Sequence, residues 1–311
     1  MKKKIIVIVG PTAVGKTALS IQLAQKFNGE IISGDSMQIY EHLNIGTAKA
    51  TLAERAMAKH YLVDCIPITQ PYTVSDFQKQ ARASIDQIIA AGKVPIIVGG
   101  TGLYIEALLY DFSLGGTNDK DVAYRQQLEK EAAENDVLYL WEQLKAIDPL
   151  AAEKIHPNNQ KRVIRALEVY HTTGQPFSAY QTAVEKPEPL YDAYLIGLET
   201  ERPTLYARIN ERVLLMMKQG LLEEAKWLYE QQIPTSQAAQ GIGYKELFSY
   251  IEGTQSLESC IEKIQQHSRQ YAKRQLTWFK NRMTIPWWDL VMTEEIYPTL
   301  EQEVAQFLQN K

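Results

Sequence analysis

The chain has 311 residues with 33 Lys and Arg against 37 Asp and Glu, a net charge of -4, which excludes a uniformly basic nucleic-acid binder while leaving room for one basic face. With 45% hydrophobic and 23% charged residues, a disordered or fibrous chain is excluded, and the length fits one large domain with an insertion or two domains. The two cysteines, Cys65 and Cys260, are far apart and in no metal-ligand spacing, so neither a disulfide framework nor a zinc site is suggested and a reducing cytoplasm is expected.

The N-terminal stretch "MKKKIIVIVGP" is too short for a signal peptide. Its apolar run covers Ile5 to Val9 and ends at Gly10 and Pro11, so it reads as a first strand. Nowhere do 18 apolar residues follow one another, so no membrane span is expected. Next comes "GPTAVGKT", residues Gly10, Pro11, Thr12, Ala13, Val14, Gly15, Lys16 and Thr17. It matches G-x-x-x-x-G-K-[ST] between a predicted strand and a predicted helix, "KTALSIQLAQKF". Its glycines let backbone N–H groups turn inward, the helix offers its positive end, Lys16 meets phosphate oxygens and Thr17 is placed to hold Mg2+. The loop alone fits nucleotide binding, ATP included, as well as any other diphosphate.

Strands "EIIS", "HYLVDC" and "VPIIVGG" alternate with helices such as "VSDFQKQARASIDQIIAAG" over the first 110 residues. Short Val/Ile runs of this kind suit a parallel sheet buried on both faces. The whole reads as an α/β fold: a P-loop NTPase-like parallel sheet flanked by helices, with an inserted all-helical domain. Asp35, after "EIISG", and Asp64, in "YLVDC", are both candidates for the acid that accompanies a phosphate loop. In an open α/β sheet ligands lie beyond the carboxyl ends of the strands. The loop, Asp35 and Thr101 of "GGTGLY" should therefore converge on one cleft, although Asp35 is equally suited to cap a helix beginning at Ser36.

After "DFSLGGTN" (111–118) the pattern turns almost wholly helical, and the Pro-rich stretch 173–190 reads as a mobile link. We therefore divide the chain into a core domain, 1–114 and 191–311, and a helical insertion, 115–190. "YDAYLIGLE" (191–199) supplies one more strand. A helix is expected from Pro203 to Gln231, broken or kinked at Gly220; Arg208 and Arg212 border its apolar stripe, where an arginine either reaches a bound diphosphate, Arg208 being preferred, or snorkels past the core surface. A last helical region, Leu257 to Arg282, precedes "IPWWDLV" and a short tail. Residues 261–282 hold six basic side chains, Lys263, Arg269, Lys273, Arg274, Lys280 and Arg282, against Glu262 alone. On a helix Arg269, Lys273 and Lys280 fall within about 40° of one another, opposite Ile264, Tyr271 and Trp278, so one side is expected to dock and the other to meet phosphates.

Five blocks, "GPTAVGKT", "DSMQIYEHLNIGTAKAT", "VGGTGLYIEALL", "HPNNQKRVIRALEVYHTTG" and "YAKRQLTWFKNR", together resemble the bacterial tRNA dimethylallyltransferases, also called tRNA isopentenyltransferases. The resemblance implies transfer of a dimethylallyl group from dimethylallyl diphosphate to N6 of adenine 37 in the anticodon stem-loop; Mg2+ is expected at the phosphate loop, and a monomer is expected. Asp35 would be the general base and Thr101 a residue at the diphosphate and the adenine. The segment Asp35, Ser36, Met37 and Gln38 would meet the extruded base, with the Gln38 amide suited to its edge. Gln160, Lys161, Arg162, Val163, Ile164 and Arg165 would contact the anticodon arm, as would Arg125, Arg269, Lys273, Arg274 and Lys280, and "GIGYKE" (241–246) would lie near the tRNA. The helical insertion would clamp the stem-loop, moving on its two connections. The zinc finger of eukaryotic relatives is not expected. A small-molecule kinase, a prenyltransferase of free adenine nucleotides and a non-catalytic RNA-binding module are the alternatives; each leaves either the basic clusters or the cleft without a task.

Overall fold

A computed structural model describes residues 2–110, 121–180 and 188–310. Its six strands are β1 (Lys4–Val9), β2 (Gly29–Ser33), β3 (His60–Tyr61), β4 (Val94–Gly99), β5 (Asp192–Leu198) and β6 (Trp287–Trp288). They form one sheet in the order β3-β2-β4-β1-β5-β6, parallel throughout. Residues Ile5 to Val9 of β1 are fully buried, as a strand covered on both faces requires. The register sets Val9 level with Gly99 and Gly197, and Ser33 level with Val98. Four carboxyl ends therefore open at one height, and the loops that follow them share a rim.

The helices are α1 (Lys16–Lys26), α2 (Leu52–Met57), α3 (Val74–Ala90), α4 (Gly102–Leu109), α5 (Val122–Glu134), α6 (Tyr139–Ile147), α7 (Pro149–Lys154), α8 (Gln160–Thr173), α9 (Arg202–Lys218), α10 (Leu221–Glu230), α11 (Tyr244–Ile251), α12 (Leu257–Arg282) and α13 (Tyr297–Gln309). The helix expected over 203–231 is indeed divided at Gly220, whose φ of 106° is open to glycine at little cost. Helix α13 replaces the expected tail: its Leu300 and Val304 join Ile6, Ile8, Leu19, Leu23, Ile96 and Ile196 in the core. The apolar spacing of "YPTLEQEVAQFL" carried that signal.

The chain divides into two compact units, Met1–Leu109 with Leu190–Lys311, and Tyr110–Pro189. The second has its own core, in which Leu128, Leu140, Leu144, Ile155, Val163 and Leu167 meet. Its buried Asp148 accepts from the N–H groups of Ala151 at 3.0 Å and Ser178 at 2.7 Å, capping α7. The expected connection 111–118 and part of 173–190 lie outside the described residues. Among the described residues no helix is long and apolar enough to cross a membrane.

A phosphate-loop cleft as candidate active site

The loop between β1 and α1 is built on two glycines. Gly10 has φ 147°, and a Cβ on it would stand 2.4 Å from the Leu198 carbonyl oxygen. Gly15, at φ 96°, precedes α1 in the left-handed region, so the backbone turns and delivers the helix N-terminus to the cleft. Pro11 and Val14 bury their side chains, which leaves only their backbone to face a ligand. Lys16 Nζ donates to the carbonyls of Gly10 at 2.9 Å and Pro11 at 2.6 Å.

Asp35 leaves the end of β2, and its Oδ1 accepts from Met37 N–H at 2.8 Å. Residues 36–37 form a bend and 38–39 a turn, so the helix that Asp35 was alternatively expected to cap does not form. Thr101 Oγ1 accepts from Ser36 N–H at 3.3 Å, which ties the β4–α4 turn to the segment carrying Asp35. Burial pushes the Asp35 carboxyl above its ordinary range, opposed by the N–H groups of Met37 and Gln38 and by the charges of Lys16 and Arg212. Burial and, after it, Arg212 bring Lys16 down to about 7, against the pull of Asp35. A carboxylate held at raised proton affinity beside two cations is the electrostatic setting of a base next to an anion site.

The two arginines differ in their places beside the loop. Arg208 is exposed and its Nε donates to the Ala13 carbonyl at 2.9 Å, bracing the loop from outside. Arg212 is half-buried, faces Asp35 and reaches Thr12 Oγ1 at 3.5 Å. One helical turn separates them, and only packing decides which faces inward. Asp64 is not available as a ligand: Lys49 meets it at 2.5 Å and Arg55 at 2.7 Å. Among the described residues no group of three or more His, Cys, Asp or Glu could hold a metal.

The residues expected to meet RNA separate into two sets. Gln38 turns inward, its Oε1 accepting from Ser33 Oγ at 2.9 Å and its Nε2 donating to the carbonyls of Thr47 and Ala48. Its amide therefore fastens the following loop instead of presenting an edge. The "GIGYKE" segment fastens the same loop: Tyr244 is fully buried and donates at 2.7 Å to Glu224, which takes the N–H groups of Asn44, Ile45 and Gly46. Arg269 donates to Asn210 at 2.6 Å and Lys280 pairs with Glu199 at 2.5 Å, so neither points freely outward. Lys273 and Arg274 are exposed with no carboxylate partner among the described residues. In the helical unit Lys161 and Arg162 are exposed on the first turn of α8, behind Gln160. Val163 and Ile164 are 1% and 4% exposed inside that unit's core, because positions facing inward on α8 carry its apolar stripe; they have no surface to give RNA. Arg125 and Arg165 turn to the buried Glu168, at 3.0 and 3.8 Å.

Tyr271 went unrecognised except as part of a docking face. Its hydroxyl lies beside Thr101 and Gln275, and burial, with Asp35 next, pushes its proton affinity well up. The signal for both was a tyrosine and a glutamine four residues apart on an otherwise apolar stripe.

The family described as IPP transferase matches residues 38–282. A tRNA dimethylallyltransferase of Enterococcus faecalis is 57% identical over 310 residues, covering 99% of both chains, and one of Geobacillus thermodenitrificans is 51% identical over 311 residues, 100% of this chain and 98% of its own. The solved full-length tRNA isopentenylpyrophosphate transferase of Bacillus halodurans is 43% identical, with a TM-score of 0.73 over 99% of this chain and 97% of its own. A eukaryotic dimethylallyltransferase solved acting on tRNA is 31% identical, with a TM-score of 0.81 over 97% of this chain and 78% of its own.

Proposed function

The chain belongs to the IPP transferase family and is an enzyme that transfers a dimethylallyl group to tRNA; from that premise we propose that the acceptor is N6 of adenine 37 in the anticodon stem-loop and the donor dimethylallyl diphosphate. The observation that carries this reading is the meeting of Lys16, Asp35, Thr101 and Arg212 at one rim of the sheet. In the reaction the N6–C bond forms, the allylic C–O bond breaks, and the diphosphate departs with the electron pair. The N6 proton passes to the Asp35 carboxylate.

Lys16, Arg212 and the inward N–H groups of residues 13–17 oppose the charge that develops on the diphosphate. Thr101 orients the reactants through its hydroxyl. The donor set fits Mg2+ carried by the diphosphate itself: Thr17 offers one hydroxyl, and this ion keeps several waters and phosphate oxygens as ligands. When bound, the ion supplies further neutralisation of the leaving group. An adenine stacked in the anticodon loop must be extruded to reach Asp35; Lys273 and Arg274 on α12, and Lys161 and Arg162 on α8, hold the RNA backbone. We place this monomeric enzyme in the cytoplasm, where its substrate is.

Incubation with labelled dimethylallyl diphosphate, ATP, AMP and unmodified tRNA, followed by nucleoside chromatography, tests the reading. Label on an N6-substituted adenosine from position 37 is expected. Label on AMP alone, or phosphoryl transfer from ATP, would replace it with one of the alternatives.

A further inference from the structure

Between the phosphate loop and the turn that carries Thr101 lies one side chain from a third element. Gln275 of α12 is 5% exposed. Its Oε1 accepts from Thr12 N–H at 3.1 Å and its Nε2 donates to the Gly100 carbonyl at 3.0 Å. A Cβ on Gly100 would stand 2.0 Å from that Nε2 and in ordinary contact, 3.5 Å, with Gly10 oxygen, so the glycine is needed because the amide is there. Helix α12 is itself fixed at this level: Ala272 packs with Leu205 and Ile209 of α9, and Leu276 and Ala13 lie against the same cluster. One turn earlier, Tyr271 sits beside Thr101.

We infer that Gln275 is a positioning residue, whose carboxamide fixes the spacing between the phosphate loop and the Gly99–Thr101 turn, so that diphosphate and acceptor meet in register. The inference rests on the function proposed above and adds a residue to it. A carboxamide is the one side chain of this length that offers an acceptor and a donor together. Glutamate would set a carboxylate against the Gly100 carbonyl; methionine keeps the volume and leaves the part-buried Thr12 N–H and the buried Gly100 C=O without this partner. The Thr12 N–H is also taken out of the set that faces a ligand, which leaves residues 13–17 to hold the diphosphate.

The test is a double-mutant cycle on the full-length protein. Gln275→Ala and Gly100→Ala are each expected to lower kcat/KM for dimethylallyl diphosphate at least tenfold and to weaken inorganic diphosphate binding about as much, with tRNA affinity within twofold. The double variant should be no worse than Gln275→Ala, because the amide that a Cβ on residue 100 would strike is gone. Gln275→Met, which fills the space, should still fold, with a Tm lowered by a few degrees for the two backbone groups left unpaired, and should show the kinetic loss. Activity and diphosphate affinity of Gln275→Met within twofold of the parent, or multiplicative losses in the double variant, overturn the inference. A parent protein that binds diphosphate but does not label tRNA overturns the proposed reaction instead, and the diphosphate arm still decides on Gln275.

Discussion

Asp35 and Lys16 answer to pH in opposite ways, and each gives a measurable sign. The carboxyl of Asp35 is raised by burial, so the transfer rate should climb with pH through that raised value and level off above it. Asp35→Asn should remove this limb and lower the single-turnover rate about 100-fold or more, while tRNA affinity, read by filter binding, stays within a few-fold. Lys16, down to about 7 in the free protein, is already an ammonium below that pH. Above it, each diphosphate bound must bring a proton with it, at about 1.4 kcal/mol per pH unit. Calorimetric affinity for inorganic diphosphate should therefore fall up to about tenfold per unit from about pH 7 to about pH 9. Lys16→Met should lose both the affinity and the slope. The same depressed value makes the free protein more stable as pH rises through that window, since the unfolded chain alone still binds the proton.

At the scale of elements, helix α12 is divided along its length between anchoring and reaching cations. Lys273→Ala and Arg274→Ala should each reduce the salt dependence of tRNA binding by about one unit of slope, measured by titration at several ionic strengths. Arg269→Ala and Lys280→Ala should cost up to ~1 kcal/mol of stability instead, because their partners are Asn210 and Glu199. Periodicity placed all of these on one helix but could not tell them apart, since a side chain's partner comes from elements far away in sequence. For the same reason periodicity could not separate the burial of Arg208 from that of Arg212, and Val163 and Ile164 were grouped with the basic residues beside them. The elements were legible where the pattern is local: the buried strands, the phosphate loop with its glycines, and the break at Gly220. Helix α13 was missed because no side chain caps its start, although Pro298 in its first turn and the apolar spacing behind it both suit a helix. The inward turn of Gln38 had no local signature at all, because its three partners are backbone and side-chain oxygens set by the fold of the loop.

For the whole molecule, the two units with separate cores predict separable stabilities. Leu144 is fully buried in the helical unit, so Leu144→Ala should cost ~2–5 kcal/mol there. Hydrogen exchange in α6 and α8 should accelerate, tRNA affinity should fall, and diphosphate affinity should stay within twofold. Equal acceleration in β1 and β4 would mean that the two cores unfold as one. The catalytic unit, unlike the helical one, is discontinuous: β1 lies between β4 and β5, and β5 is encoded after the insertion. In the order of the sequence the phosphate loop thus precedes its second flanking strand by the whole insertion, and its bracing amide on α12 comes later still. A chain cut within the insertion would therefore carry the phosphate loop without the strand and the amide that hold it, and should bind inorganic diphosphate more weakly than the parent.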